Sequence, residues 1–201
     1  MAPGVGALLL TPGAGSDRTH STLVRIADAV APIPAARIDF PYRRAGRRAP
    51  DRTPKLIACI REESDAQVAR AGIEAGALVL GGRSMGGRMC SMAVAEGLPA
   101  AGLVLLSYPL HPPGRPERLR VDHFEALDVP CLFVSGTRDP FASPTELEAH
   151  TATIPGPVTH VWIEGAGHDV KDRRSEPREA QVVEAVLAWL QDLERKPKGE
   201  P

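Results

Sequence analysis

Three side chains have the types and the order needed for nucleophilic catalysis: Ser84, Asp139 and His168. Ser84 lies in GALVLGGRSMGGRMCSM, at the centre of Gly82-Arg83-Ser84-Met85-Gly86. An apolar run from Ala77 to Leu80 precedes it, and Met85, Met89, Met92 and Ala93 follow at helical spacing. A G-x-S-x-G sequence between a strand and a helix predicts a sharp turn that presents the serine hydroxyl, a nucleophile elbow. The glycines have a steric purpose. Side chains two residues either side of the serine would strike neighbouring backbone, and glycine also accepts unusual dihedrals. The helix that starts beside Ser84 places its positive end under any negative charge developing on a substrate oxygen. A glycine-rich turn can instead cradle a phosphate, but the chain has neither GK[ST] nor G-x-G-x-x-G here.

A serine hydroxyl is a weak nucleophile until a base takes its proton, and the base needs an acid to orient it. His168, in VWIEGAGHD, is the candidate base; Asp139, in CLFVSGTRDP, is the candidate acid. Both follow apolar runs, at the carboxyl ends of predicted strands. Asp139 would fix the imidazole tautomer, and His168 would carry the proton from Ser84 to the leaving group. Each also has a plainer role: Asp139 precedes Pro140 and could shape a turn, and His168 is one of six histidines. Glu164 comes too early to serve as the acid, and Asp169 adjoins the histidine in sequence.

An oxyanion hole needs two backbone N–H donors. One is expected from Met85. The other is expected from the loop Leu10-Thr11-Pro12-Gly13-Ala14-Gly15-Ser16, with Ala14 favoured and Gly13 the alternative. Arg43, Arg44, Arg47, Arg48 and Arg52 form a charge run that reads first as a solvated loop. Overhanging the site, such a loop would attract a carboxylate or phosphate. Arg83 and Arg138 flank the catalytic positions. Gly13, Arg43, Arg44 and Arg83 are therefore the candidate substrate-binding residues.

The elements that must position these residues alternate along the chain. Apolar runs at Val5–Leu10, Ala36–Phe40, Ala77–Leu80, Leu103–Leu106, Cys131–Val134 and Val158–Ile163 have strand length. Most are continuously apolar, as in strands covered on both faces. Leu23, Ile26, Ala27 and Val30 share a helix face, as do Val182, Val186 and Leu190; Lys55 to Ala71 forms a longer helical segment. Ser143, Pro144 and Glu146 form a capping-box start. This order predicts an α/β fold: a three-layer αβα sandwich on a mostly parallel sheet of about six strands. Tyr42–Pro54 and Pro109–Pro130 resist assignment, apart from one helical turn near His123 to Leu127. The 201 residues suit a single domain, 1–201, with 195–201 expected to be frayed.

Composition narrows the function. A formal net charge of −1 points to neither a nucleic-acid nor a membrane partner. No apolar run approaches the roughly 20 residues that span a bilayer, and MAPGVGALLL lacks the charged start of a signal peptide. Cys59, Cys90 and Cys131 are odd in number and lack metal-type spacing, so neither a disulfide framework nor a metal site is expected. The expected location is a reducing cytoplasm, the expected partner a small-molecule acyl substrate, and no cofactor is implied. Oligomeric state is left open.

With these segments in hand, the chain resembles the α/β-hydrolase superfamily, near its dienelactone-hydrolase-like branch. It looks more narrowly like the small testis-expressed and NSL-complex-subunit hydrolase-like proteins. The segments that carry the resemblance are LTPGAGSD, DFPYRRAGRRAPDR, GGRSMGGRMCSM, SYPLHPPGRPERLRVDHF, GTRDPF and GAGHD. The resemblance implies a minimal hydrolase fold without a cap domain or the first antiparallel strands of larger members. It also implies a Ser84, Asp139, His168 triad. Where the family often has His-Gly at the oxyanion loop, this chain has Pro12-Gly13. His111 and His123 lie where larger members insert a cap. The implied activity is hydrolysis of an ester, thioester or lactone through an acyl-enzyme. The alternative is a partner-binding module that keeps the fold without turnover.

Overall fold

A computed structural model describes residues 4–170 and 178–195 of the chain. The elements are β1 (Ala7–Thr11), α1 (Ser21–Ala29), β2 (Ala35–Arg37), α2 (Pro41–Arg44), α3 (Thr53–Ala71), β3 (Leu78–Arg83), α4 (Met85–Ala95), β4 (Gly102–Leu106), β5 (Cys131–Gly136), α5 (Pro144–Thr151), β6 (Val158–Ile163) and α6 (Glu179–Arg195). The six strands form one sheet in the order β2-β1-β3-β4-β5-β6, and every pairing is parallel.

Every residue of β1, β3, β4 and β5 is buried, which is why these strands read as unbroken apolar runs. Their side chains alternate between two cores. Ala7 and Leu9 join Ile57, Ile60 and Met89 on the α3, α4 and α5 face. Leu8 and Leu10 join Leu23, Ile26 and Val186 on the α1 and α6 face. The three layers follow from this two-residue period.

The helices begin and end where their sequences dictate. In α5, Ser143 caps the N-terminus, the Ser143–Glu146 capping box is complete, and Pro144 opens the helix. Gly72 ends α3 in the left-handed conformation, φ 63°. Two boundaries differ from expectation. The second strand stops at Arg37 rather than Phe40, because Pro41 opens the short α2 and holds Phe40 extended at φ −66°, ψ 154°. β3 continues past Leu80 through Arg83, because Gly81 and Gly82 still pair with Val104 and Leu105. Between Pro109 and Pro130 one short 3₁₀ turn, Phe124–Ala126, forms near the predicted place. The expected frayed tail lies outside the described residues, apart from Arg195, which ends α6.

After β1 the chain turns to β2 on one side and then crosses to β3 on the other. The crevice at this reversal is where open α/β sheets place their sites. Ser84 follows β3 there, beside the loop after β1.

Candidate active site

Ser84 sits between β3 and α4 with φ 51° and ψ −119°, a backbone that L residues rarely adopt. The flanking glycines are forced by contact. A Cβ on Gly82 would lie 2.0 Å from Thr11 Oγ1 and 2.5 Å from the Thr11 carbonyl oxygen. A Cβ on Gly86 would lie 2.5 Å from the Pro12 carbonyl oxygen. β1 thus presses directly on the turn, and Thr11 is fixed there by donating to the Gly81 carbonyl at 3.1 Å.

The three residues predicted from the sequence converge. His168 Nε2 is 2.9 Å from Ser84 Oγ, and His168 Nδ1 is 2.7 Å from Asp139 Oδ2. The Asp139 side chain is fully buried, and its Oδ1 accepts the Phe141 N–H at 2.9 Å. A buried carboxylate beside Nδ1 favours the tautomer with the proton on that nitrogen. Nε2 then faces the serine with a lone pair. The Phe141 ring packs on the imidazole, with ring centroids 4.1 Å apart. The histidine loop is tied to the end of β5: the Gly165 N–H donates to Thr137 Oγ1 at 2.9 Å, and the Arg138 N–H to the Ala166 carbonyl at 2.9 Å.

The Met85 and Ala14 N–H groups donate to no acceptor among the described residues. Gly13 lies against Arg83 and Ser84: a Cβ there would be 3.6 Å from Ser84 Cβ and 3.2 Å from Arg83 Nη1. Tyr42 holds the loop from behind, its hydroxyl donating to the Ala14 carbonyl at 2.8 Å. Sequence reasoning missed Tyr42, Thr11 and Phe141. Thr11 and Tyr42 stood inside segments that had been singled out, but nothing in their types marked their contacts.

The arginines named as candidate substrate contacts each have a carboxylate partner within the protein. Arg43 pairs with Asp17 at 3.2 Å, and Arg44 pairs closely with Glu63 on α3. Both pairs are partly exposed, so these partners would compete with an anionic group for the two guanidiniums. Arg83 is 7% exposed and turns its guanidinium to the His168 carbonyl and Asp169 rather than to solvent. His111 and His123 are absorbed by other contacts. His111 Nδ1 is 2.9 Å from the Pro112 carbonyl oxygen, and His123 Nε2 is 2.8 Å from Ser91 Oγ. Burial, with Arg88 nearby, pushes the His123 pKa down to about 4.

A cavity of about 520 Å³ between β6 and α6, lined in part by Leu132, Val161 and Trp189, includes none of the three converging residues. Among the described residues no helix is long and apolar enough to cross a membrane, and no group of three or more acidic, histidine or cysteine side chains is arranged to hold a metal ion.

A strained serine at the reversal of a parallel sheet, with an imidazole and a buried carboxylate in line, defines the hydrolase class of α/β fold. Residues 5–191 match the alpha/beta hydrolase domain family, and the chain belongs to it. It is 36% identical over 70 residues to epoxide hydrolase A of Mycobacterium tuberculosis; that match takes in 35% of this chain and 20% of the relative, so it spans a fifth of that protein's length. Among solved structures it is similar to Est1E from Butyrivibrio proteoclasticus (TM-score 0.72, 16% identity, 94% of this chain and 88% of that one). It is also similar to a dienelactone hydrolase structure from Klebsiella pneumoniae (TM-score 0.72, 17% identity, 95% and 88%). A third is the RedJ thioesterase of Streptomyces coelicolor (TM-score 0.64, 16% identity, 92% and 85%).

Proposed function

We propose that the chain is a serine hydrolase that cleaves a small or medium acyl ester, thioester or lactone through an acyl-enzyme on Ser84. The observation that carries this is the unbroken line from Ser84 Oγ through His168 to Asp139. His168 Nε2 takes the hydroxyl proton as Ser84 Oγ attacks the substrate carbonyl. The Met85 and Ala14 N–H groups receive the negative charge of the tetrahedral intermediate, assisted by the start of α4. The intermediate collapses, imidazolium protonates the leaving group, and the acyl group remains on Ser84. His168 then takes a proton from water as it attacks the acyl-enzyme, and returns that proton to Ser84 Oγ as the acyl–oxygen bond breaks and the acid is released. Asp139 holds the Nδ1 side of the imidazole and stabilises the imidazolium in both halves. No step needs a cofactor.

The ester, lactone and thioester range agrees with the names of the similar structures, an Est1E bound elsewhere to ferulic acid, a dienelactone hydrolase and a thioesterase. The narrower kinship with the testis-expressed and NSL-complex-subunit group rests on FPYRRAGRR and SYPLHPPG. Three free, buried cysteines suit a reducing cytoplasm. The test is a fluorophosphonate probe followed by peptide mass mapping. Label on Ser84 is expected; folded protein that takes no label, or takes it elsewhere, refutes the reading.

A further inference from the structure

We propose that Arg83, the residue before the nucleophile, is a positioning residue that sets the distance between Ser84 and His168; the proposal rests on the serine-hydrolase reading. Arg83 Nη2 donates to the His168 carbonyl at 2.9 Å and to Asp169 Oδ1, so one nitrogen grips the histidine's own backbone and its neighbour's carboxylate. Arg83 Nη1 rests against Gly13, where an added Cβ would be 3.2 Å away. A single guanidinium therefore touches the nucleophile strand, the loop after β1 and the histidine loop.

What makes this contact decisive is what else connects those parts. The histidine loop is bonded to the acid side by Gly165–Thr137 and Arg138–Ala166. On the serine side, the hydrogen bonds among the described residues between positions 78–95 and the loop 164–170 are those of Arg83 and the Ser84–His168 bond itself. That last bond must break and reform in every cycle. Arg83 is the tie that stays in place while it does.

The arrangement is poorly suited to a role in stability. The Arg83 side chain is 9% exposed while Asp169 is 72% exposed, so a buried cation is answered by a solvated carboxylate. Its Nε is buried without a hydrogen-bond partner. Removing a charge from water under those terms is costly, and hydrophobic residues would serve a merely structural purpose better. His20 nearby is held toward its neutral form by burial and then by Arg83, so it adds no second positive charge beside the guanidinium. The guanidinium is rigid and planar, so Nη2 can meet both acceptors only while Nη1 stays against Gly13.

The experiment compares R83A, R83K and D169N on a small neutral ester. R83A should lower kcat on the order of 100-fold, the effect of a misplacement near 1 Å, with KM within about threefold. Added methylguanidinium should restore part of that loss, and R83K, keeping the charge but not the reach and planar shape of the guanidinium, should fall between. D169N leaves the carbonyl bond and should lose less than R83K. A rise in KM with kcat unchanged would assign Arg83 to substrate contact, and unchanged kcat in both Arg83 variants would also overturn the proposal. A second readout needs no turnover: the downfield proton shared by His168 Nδ1 and Asp139 in the ¹H NMR spectrum should be sharp in the parent protein and broadened in R83K. If the parent neither turns over nor takes the serine label, the hydrolase reading fails, and the NMR comparison still decides Arg83: an unchanged resonance in R83K overturns the proposal.

Discussion

Gly82→Ala tests the claim that β1 presses on the elbow. The added Cβ would sit 2.0 Å from Thr11 Oγ1, 2.5 Å from the Thr11 carbonyl oxygen and 3.0 Å from the Gly87 nitrogen. The Thr11 hydroxyl can rotate away, at the loss of its bond to Gly81. The other two neighbours are backbone atoms, of a central strand and of a helix, and cannot yield locally. Overpacking a tight core costs about 1–3 kcal/mol, and the backbone neighbours place this substitution at the upper end, about 3 kcal/mol. For a domain of this size that lowers Tm by about 6–12 °C. Gly15→Ala is the control: nothing lies within 4 Å of its added Cβ. Its effect should stay within about 1 kcal/mol and tend toward stabilisation, through a stiffer unfolded chain. Both variants are read by thermal melts and urea midpoints, with the serine label as a second readout. A Gly82→Ala melt within 1–2 °C (about 0.5 kcal/mol) of the parent, or a Gly15→Ala loss as large as the about 3 kcal/mol expected for Gly82→Ala, would refute the steric account of the turn.

Ser84→Ala should retain the parent's circular dichroism and lose turnover by about 10⁴ or more, measured by ester hydrolysis. Asp139→Asn should lose turnover on a similar scale, because the amide no longer enforces the tautomer; near-normal rates would mean that another acid orients His168. Since the folded His123 pKa lies near 4, below the unfolded value of about 6.5, the unfolded chain binds the extra proton. Stability should therefore fall as pH drops from about 6.5 to 4, by up to about 3 kcal/mol from this group, and urea midpoints of His123→Gln should show a shallower slope over that window. In native protein Cys90 and Cys131, with pKa values pushed up to about 12 by burial, should resist a thiol reagent at pH 8 that titrates them in urea.

The elbow was legible because its signal is local: a strand, two glycines and a helix fall within a few residues, and their spacing has one steric explanation. Central strands were legible because burial on both faces leaves no polar residue to interrupt them. The edges were harder. β2 is only three residues long; past it the Ile38 N–H still bonds the Leu10 carbonyl, and Ile38 and Phe40 pack in the core outside the strand proper. Arginine partners were not legible at all. Nothing in the run from Arg43 to Arg52 tells that Glu63 on α3 will answer Arg44, or that Asp17 will answer Arg43. Arg83 looked free to bind substrate because its partner lies 86 positions away. Phe141 reads as any core aromatic until the fold lays it on His168.

The sheet order has a consequence for how activity returns after denaturation. The candidate serine, acid and base hang from β3, β5 and β6, and β1 presses on the turn that carries the serine. Ser84 and His168 are separated by 84 positions, and contacts of such separation close late because loop entropy must be overcome first. Helical signal and burial of the tryptophans can recover on partial sheets, whereas turnover requires β1 and β3 through β6 in register. Refolding followed by ester hydrolysis should lag the same reaction followed by circular dichroism. Enzymatic activity would then be a clock for completion of the sheet, set by topology rather than by chemistry.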